Sequence, residues 1–196
     1  MRNEKNGARD AFAVPHSSFL IPHSSFLASS EVHVWRAALD RSDAERQRLR
    51  RTLSADERDR AARFYFPKDR DHFIVARGLL RTILGRYLDL PPEQLCFDYS
   101  PHGKPSLASL RFNLSHSHGL ALYAITRERE IGVDLEFIRP EVLAEPIAER
   151  FFAPREHAAL RALPASLQPE AFFHCWARKE AYIKARGEGL TIPLNA

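Results

Sequence analysis

Residues 112–137 have the sequence FNLSHSHGLALYAITREREIGVDLEF, and this stretch decides the class of fold. We expect Phe112 to Leu114 to be extended, Gly119 to Ile125 to form a buried strand, and Ile131 to Phe137 to form another strand. The strands are short and closely spaced along the chain, which suits antiparallel pairing. The stretch therefore predicts the sheet of a small mixed protein.

Helical patterns flank these strands on both sides. Ser54 followed by Glu57 forms a capping box, which is typical of a helix start. Apolar stripes and helix-forming residues predict helices at residues 69–88, 143–151, 154–163 and 168–186. Alternating apolar and polar residues predict a half-buried strand before them, at residues 31–36. The order of elements predicts an α+β fold.

Composition limits the classes of function. The chain has 196 residues, of which 44% are hydrophobic and 28% charged, enough apolar material for one domain or two small halves. A formal net charge of +4 fits an anionic partner such as a nucleotide, a phosphate or an acidic protein, but is too small to indicate nucleic acid. No apolar run approaches the roughly 18 residues of a membrane helix. Cys96 and Cys175 are far apart and form no metal motif, which favours reduced thiols in a cytoplasmic protein.

The first thirty residues contain a short tandem repeat. Residues 15–21 have the sequence PHSSFLI, and residues 22–27 repeat it as PHSSFL. A repeat this short cannot build a solenoid unit, and its prolines and serines interrupt any signal-peptide core. We expect residues 1–30 to be a disordered leader that has no role in the fold.

Two acidic side chains lie two positions apart in the segment Gly132-Val133-Asp134-Leu135-Glu136. On a strand, such residues point to the same face, so Asp134 and Glu136 would present their carboxylates together. Adjacent carboxylates repel each other, and a divalent cation relieves that repulsion. The alternative is an ordinary solvated strand face.

Three further groups of polar residues are open to two interpretations. Glu180 and Lys184 lie four apart on one helix face, either as an exposed ion pair or as a metal ligand and a phosphate-binding cation. Ser115 and His116 belong either to a turn or to a phosphate site. Arg60 and its neighbouring arginines form either a solvated helix face or a cationic wall facing a phosphate-rich ligand.

Four motifs in order resemble those of the Sfp-type 4′-phosphopantetheinyl transferases. They are Gly-Lys-Pro at 103–105, Phe-Asn-Leu-Ser-His-Ser at 112–117, Gly-Val-Asp-Leu-Glu at 132–136, and Trp-x-x-Lys-Glu-Ala-x-x-Lys at 176–184. The resemblance extends from about residue 32 to residue 196. It implies two similar α+β halves related by a pseudo-two-fold axis, at residues 31–127 and 128–196, with coenzyme A between them. Family members continue with further strands, so the resemblance implies that the second half is incomplete.

The resemblance also assigns roles to individual residues. The positions of magnesium ligands are occupied by Asp134, Glu136 and Glu180. Glu180 also stands at the position of the proposed general base, and Lys184 at that of a lysine assisting nucleotide departure. The positions of coenzyme A contacts are occupied by Arg60, Lys104, Ser115 and His116, with Arg77 as a further phosphate contact.

The activity implied is transfer of the 4′-phosphopantetheine group from coenzyme A to a serine of an acyl or peptidyl carrier protein. The reaction would depend on Mg²⁺ and release 3′,5′-ADP, with no nucleic acid or membrane partner. Two alternatives remain at this stage. One is another metal-dependent enzyme acting on a nucleotide or phosphodiester, and the other is a non-catalytic remnant that binds coenzyme A or the carrier without turnover.

Overall fold

The computed structural model describes residues 27–139, 145–189 and 193–195. The strands are β1 (His33–Ala38), β2 (Asp98–Tyr99), β3 (Pro105–Ser106), β4 (Arg111–Ser117) and β5 (Leu120–Thr126). The helices are α1 (Asp43–Arg51), α2 (Ala55–Ala62), α3 (Pro67–Leu88), α4 (Glu145–Phe151), α5 (Pro154–Arg161) and α6 (Gln168–Arg186), with a 3₁₀ turn at Pro92–Gln94. The predicted α+β class is confirmed. No helix in the described ranges is both long and apolar enough to cross a membrane.

The main sheet has three antiparallel strands in the order β1-β5-β4. Tyr123 in the central strand is paired with Trp35 of β1 on one side and with Leu114 of β4 on the other. A tight turn at His118 and Gly119, both with positive φ, joins β4 to β5. The strands β2 and β3 form a separate small hairpin.

The first core cluster lies between α3 and one face of this sheet. Val75, Leu80 and Leu84 of α3 are fully buried against Tyr123 and other sheet residues. The hydroxyl of Tyr123 donates a hydrogen bond to the Ala76 carbonyl at 3.1 Å, so the buried polar atom is satisfied.

Trp35 anchors the edge strand β1 to the end of α3. Its Nε1 donates to the hydroxyl of Tyr87 at 3.0 Å, and Nδ1 of His33 lies 2.6 Å from the same hydroxyl. Tyr87 therefore holds two residues of β1 in place.

A second core cluster joins α4, α5 and α6. The rings of Phe152 and Phe172 stack with centroids 5.5 Å apart, and Trp176 stacks on Phe172 at 6.3 Å. This cluster is built mainly from aromatic side chains on these helices or next to them. Residues 145–189 and 193–195 contain helices and no strand, so the relation of two similar halves stays a prediction.

The predicted strand at 131–137 is wrong in the described structure, which assigns no ladder to that segment. The segment does run beside β4, but side chains of β4 accept its backbone N–H groups. The N–H of Val133 donates to Asn113 Oδ1 at 2.9 Å, and that of Leu135 donates to Ser115 Oγ at 3.2 Å. Side-chain acceptors thus replace the strand-to-strand bonds that the alternating pattern predicts.

The end of the predicted leader belongs to the folded domain. Leu27 is 2% exposed and packs in the first core cluster, and its carbonyl accepts a hydrogen bond from Arg127 Nε. Ser29 Oγ donates to Glu128 at 2.8 Å. Residues 1–26, with most of the repeat, lie outside the described residues.

Replacing Leu27 by alanine is expected to lower the free energy of unfolding by about 2–5 kcal/mol, because a buried leucine loses its contacts and leaves a cavity. Urea unfolding measures the change. Leu90→Ala is the control, since that side chain is 44% exposed and its loss should change stability by less than about 0.5 kcal/mol. Equal stabilities of the two variants would contradict the packing of Leu27.

Candidate functional site

Residues from β4, the 131–137 segment and α6 meet in one hydrogen-bonded cluster. Lys184 Nζ on α6 lies 2.5 Å from Asp134 Oδ1 and donates to Ser115 Oγ at 2.9 Å. Ser115 Oγ donates in turn to Asp134 Oδ1 at 2.9 Å. Lys184 is therefore paired with Asp134 rather than with Glu180, the partner that helical spacing alone indicates.

Ser115, a predicted site residue, and Asn113, which was not predicted, fix the position of Asp134. Asn113 holds the N–H of Val133, and Ser115 holds that of Leu135, so both neighbours of Asp134 are tied to β4. The sequence does carry a signal for this contact. Asn113 and Ser115 are two positions apart, and so are Val133 and Leu135, whose N–H groups they hold.

Gly132 lies directly against α6. A Cβ atom there would come within 1.9 Å of the Ala181 carbonyl oxygen and 2.4 Å of the Ala185 nitrogen. Because backbone atoms cannot move aside as a flexible side chain can, only glycine fits without displacing the segment from α6. The position of Asp134 relative to Lys184 thus depends on Gly132.

Asn113→Ala is expected to increase the rate of amide hydrogen exchange at Val133 by at least about tenfold and to lower the free energy of unfolding by about 1–3 kcal/mol. The reason is that the partly buried N–H of Val133 loses its acceptor. NMR measures the exchange, and Asn195→Ala, at a hydrogen bond of 3.4 Å on the surface, is the control. Unchanged exchange at Val133 would show that Asn113 does not hold the segment.

Three carboxylates lie near Lys184 and influence one another. The side chain of Asp134 is 4% exposed, and its Oδ2 atom is buried without a hydrogen-bond partner in the described structure. Desolvation raises the pKa of Glu136, and the charge of Asp134 raises it further. Desolvation also raises the pKa of Glu180; Lys184 opposes the shift, whereas Asp134 and Glu136 add to it.

These carboxylates do not form a finished metal site. Across the described part of the chain, no three His, Cys, Asp or Glu side chains are grouped so that they could hold a metal ion. The chemistry of the donors nevertheless fits a divalent cation, because Asp134 Oδ2 lacks a partner and the two glutamates carry raised pKa values.

A pocket of about 300 Å³ opens beside the cluster. Five of the predicted site residues line it, namely Arg60, Arg77, Ser115, His116 and Lys184. Desolvation lowers the pKa of His116, and the proximity of His72 and Lys184 lowers it further. The structure thus joins residues from α2, α3, β4 and α6 in one cationic pocket, hereafter the basic pocket.

Arg77 is held in the wall of the basic pocket by a buried acid. Its Nε lies 2.6 Å from Oε1 of Glu57, which is 1% exposed and also accepts from Arg81 Nε at 2.5 Å. Arg77 Nη2 donates to the hydroxyl of Tyr99. Arg81 Nη1 donates to the carbonyls of Pro92 and Leu95, which indicates a structural role for this residue.

Lys104 is not one of the residues that line the basic pocket. Its Nζ donates to the carbonyl of Ala185 at 2.9 Å and to Glu130 at 3.0 Å. The contact ties the β2–β3 hairpin to the carboxyl end of α6, where a cation also offsets the helix dipole.

The contribution of Glu180 to the free energy of unfolding of the metal-free protein is expected to fall as the pH rises above about 4.5. The raised pKa of Glu180 means that the folded state binds more protons than the unfolded state in this range, and stability then decreases with pH. Glu180→Gln should weaken this decrease and match the wild type near pH 4, below both pKa values.

Urea unfolding between pH 4 and pH 8 with EDTA measures this slope. Glu170→Gln, at an exposed position of the same helix, should leave the slope unchanged. A Glu180→Gln variant with the slope of the wild type would contradict the raised pKa.

Comparison with known proteins covers both parts of the chain. A family profile described as "4′-phosphopantetheinyl transferase superfamily" matches residues 130–196, and one described as "4′-phosphopantetheinyl transferase, N-terminal" matches residues 37–127. The chain is 50% identical over 168 residues to the 4′-phosphopantetheinyl transferase HetI of Nostoc sp., a match covering 83% of this chain and 71% of that relative. It is 37% identical to the 4′-phosphopantetheinyl transferase psf-1 of Bacillus pumilus, covering 81% and 69%, and 32% identical to the 4′-phosphopantetheinyl transferase Sfp of Bacillus subtilis, covering 84% and 75%.

Proposed function

Because the chain belongs to the 4′-phosphopantetheinyl transferase superfamily, we propose that it transfers the 4′-phosphopantetheine group of coenzyme A to a serine of a carrier protein. The reaction depends on Mg²⁺ and releases 3′,5′-ADP. The observation that carries this proposal is that Lys184 and Ser115 belong both to the cluster with Asp134 and to the wall of the basic pocket. The cationic groups suited to phosphate and the carboxylate of Asp134 therefore lie side by side.

The basic pocket suits coenzyme A, which carries a pyrophosphate and a further phosphate. Arg60, Arg77 and Lys184 supply positive charge around it, and His116 offers ring nitrogens. Guanidinium groups match phosphate oxygens in geometry, and Glu57 already fixes the orientation of Arg77. Lys104 contributes indirectly, by holding the hairpin against α6.

Glu180 acts as the general base. The hydroxyl oxygen of the carrier serine attacks the β-phosphorus of coenzyme A, and the bond from that phosphorus to the bridging oxygen of the pyrophosphate breaks. The serine proton passes to Glu180, directly or through a water.

Lys184 offsets the negative charge that grows on the departing 3′,5′-ADP. Its position is set beforehand by Asp134 and Ser115, so little reorganisation is needed during the reaction. Ser115 acts mainly as a positioning residue, because its single hydroxyl proton is already donated to Asp134.

Asp134, Glu136 and Glu180 are the residues that would hold Mg²⁺. When bound, the ion supplies charge neutralisation at the pyrophosphate. The buried Oδ2 atom of Asp134 and the raised pKa values of both glutamates support this assignment.

The test is incubation of the protein with an apo carrier protein and coenzyme A, with Mg²⁺ or with EDTA, followed by intact-mass spectrometry. We expect the carrier to gain the mass of one phosphopantetheine group only when Mg²⁺ is present. A carrier whose serine is replaced by alanine is the control. The proposal fails if no carrier of the fatty-acid, polyketide or nonribosomal-peptide type gains that mass.

A further inference from the structure

A second cationic depression lies on the other side of α2 from the basic pocket. It has a volume of about 490 Å³ and is formed by one face each of α1, α2 and α3. Four arginines line it, Arg46, Arg50, Arg58 and Arg70, and we call it the arginine pocket. Its floor is apolar, because Ala61 and Ile74 belong to a small buried cluster beneath it.

Positive charge in the arginine pocket exceeds the negative charge that faces it. Asp71 is the acidic residue in its wall, and it already interacts with two of the arginines. Arg70 Nε donates to Asp71 Oδ1 at 3.0 Å, and Arg46 Nε lies 3.4 Å from Asp71 Oδ2. Asp71 therefore pairs with two of the four guanidinium groups, and Arg46 also pairs with Asp43, which does not line the pocket. The lining keeps an excess of positive charge, which an anionic partner would offset.

Large aromatic side chains adjoin the arginine pocket. Phe64 forms part of its wall, and the next two residues, Tyr65 and Phe66, are 89% and 60% exposed. Three consecutive exposed aromatic residues beside an arginine cluster are unusual for a surface that contacts only water. Tyrosine and arginine are also the residues most enriched at the energetic centres of protein interfaces.

We propose that the arginine pocket and the exposed side chains of Tyr65 and Phe66 form the docking surface for the carrier protein, which binds through an acidic face. The inference rests on the proposed function and adds where that partner sits. Charge complementarity favours an acidic protein surface, and the exposed aromatics favour a macromolecule over a small anion.

The position of this surface fits delivery of a serine to the reaction centre. The helix α2 separates the two pockets, with Arg58 facing one and Arg60 facing the other. Phe73 connects them, since its ring contacts that of Phe64 at 5.3 Å and lies 5.4 Å from the Arg60 guanidinium. A helix is about 10 Å wide, and a domain of about 100 residues has a radius of gyration of about 13 Å. One carrier domain can therefore contact the arginine pocket and still reach the basic pocket.

The experiment measures binding of an apo carrier protein of net negative charge by isothermal titration calorimetry, without coenzyme A. Arg50→Glu reverses a charge in the arginine pocket, and Arg48→Glu makes the same change on α1 at a residue that does not line it. We expect Arg50→Glu to weaken carrier binding by at least about tenfold and Arg48→Glu by less than about threefold. Tyr65→Ala should also weaken it, while the KM for coenzyme A stays at the wild-type value in all three variants.

Ionic strength gives a second readout. Carrier binding to the wild type should weaken between about 0.05 M and 0.5 M salt, and this dependence should be smaller in Arg50→Glu. A merely structural effect of the substitution would not change the salt dependence.

Equal effects of Arg50→Glu and Arg48→Glu, or no effect of either, would overturn the proposal. So would a carrier affinity that is unchanged in Arg50→Glu while the binding of inorganic pyrophosphate is lost, since the pocket would then be a small-anion site. Calorimetry needs no turnover, so loss of this docking surface and failure of the transfer assay are separate results.

Discussion

Asp134→Ala is expected to reduce carrier labelling by at least about a hundredfold. Even the residues that merely support a metal ligand cost ten- to a hundredfold when removed, and Asp134 is proposed as a ligand itself. The substitution also removes the carboxylate that fixes Lys184 Nζ at 2.5 Å. The initial rate of the mass-shift assay measures the loss.

A binding readout separates the metal from the other effects of this substitution. Added Mg²⁺ should raise the melting temperature of the wild type and leave that of Asp134→Ala unchanged. Asp134→Asn keeps the shape of the side chain and should lose activity as well, whereas Glu149→Ala, at an exposed position of α4, should keep it. An Asp134→Ala variant with full activity would refute the metal assignment.

Lys184→Ala is expected to reduce turnover by roughly a hundredfold or more, the usual effect of removing a charge-stabilising group from a reaction centre. It should also lower the free energy of unfolding by about 1–3 kcal/mol, because Asp134 stays buried after its cationic partner is lost. Single-turnover kinetics and urea unfolding measure the two effects separately.

Lys179→Ala is the matched control on the same helix. Lys179 Nζ lies 2.7 Å from Glu156 and donates to the Leu194 carbonyl at 2.7 Å, so it is bonded as closely as Lys184. We expect this variant to lose stability and keep its turnover. If Lys184→Ala behaves like Lys179→Ala, Lys184 is a structural residue, and its proposed role at the leaving group is wrong.

Local signals predicted most of the helices. The capping box at Ser54 and Glu57 places the start of α2 correctly, and the predicted helix at 168–186 has the observed bounds of α6. Such signals act over three or four residues, so the sequence alone carries them. A second capping box, at Ser42 and Glu45, starts α1. This helix was not predicted, because its segment was described only by its many arginines.

Contacts between distant residues could not be predicted in the same way. Apolar and polar residues do alternate at 131–137. Whether the segment pairs as a strand nevertheless depends on Asn113 and Ser115, about 20 positions earlier. The burial of Arg77 likewise depends on Glu57 in another helix, and the arginine-rich face of α2 gave no sign of that pairing.

The residues of the candidate site were predicted from their spacing as two unconnected pairs. Spacing identified Asp134 with Glu136 and Glu180 with Lys184, and only the resemblance to a family joined them. The structure supplies the connection, with Lys184 bonded to residues 50 and 69 positions away. Gly132 was missed because a close approach between backbones leaves no mark in the sequence around it, and Asn113 because the N–H that it holds lies 20 positions away.

The two tryptophans of the chain lie in different core clusters, and this makes them natural optical reporters. Trp35 packs against the first cluster and Trp176 against the second. With Trp176 replaced by phenylalanine, emission would follow the melting of the sheet with α3, and with Trp35 replaced it would follow that of α4 to α6. Two emission curves with different midpoints would reveal that the parts unfold in sequence, whereas superimposable curves would indicate a single cooperative transition.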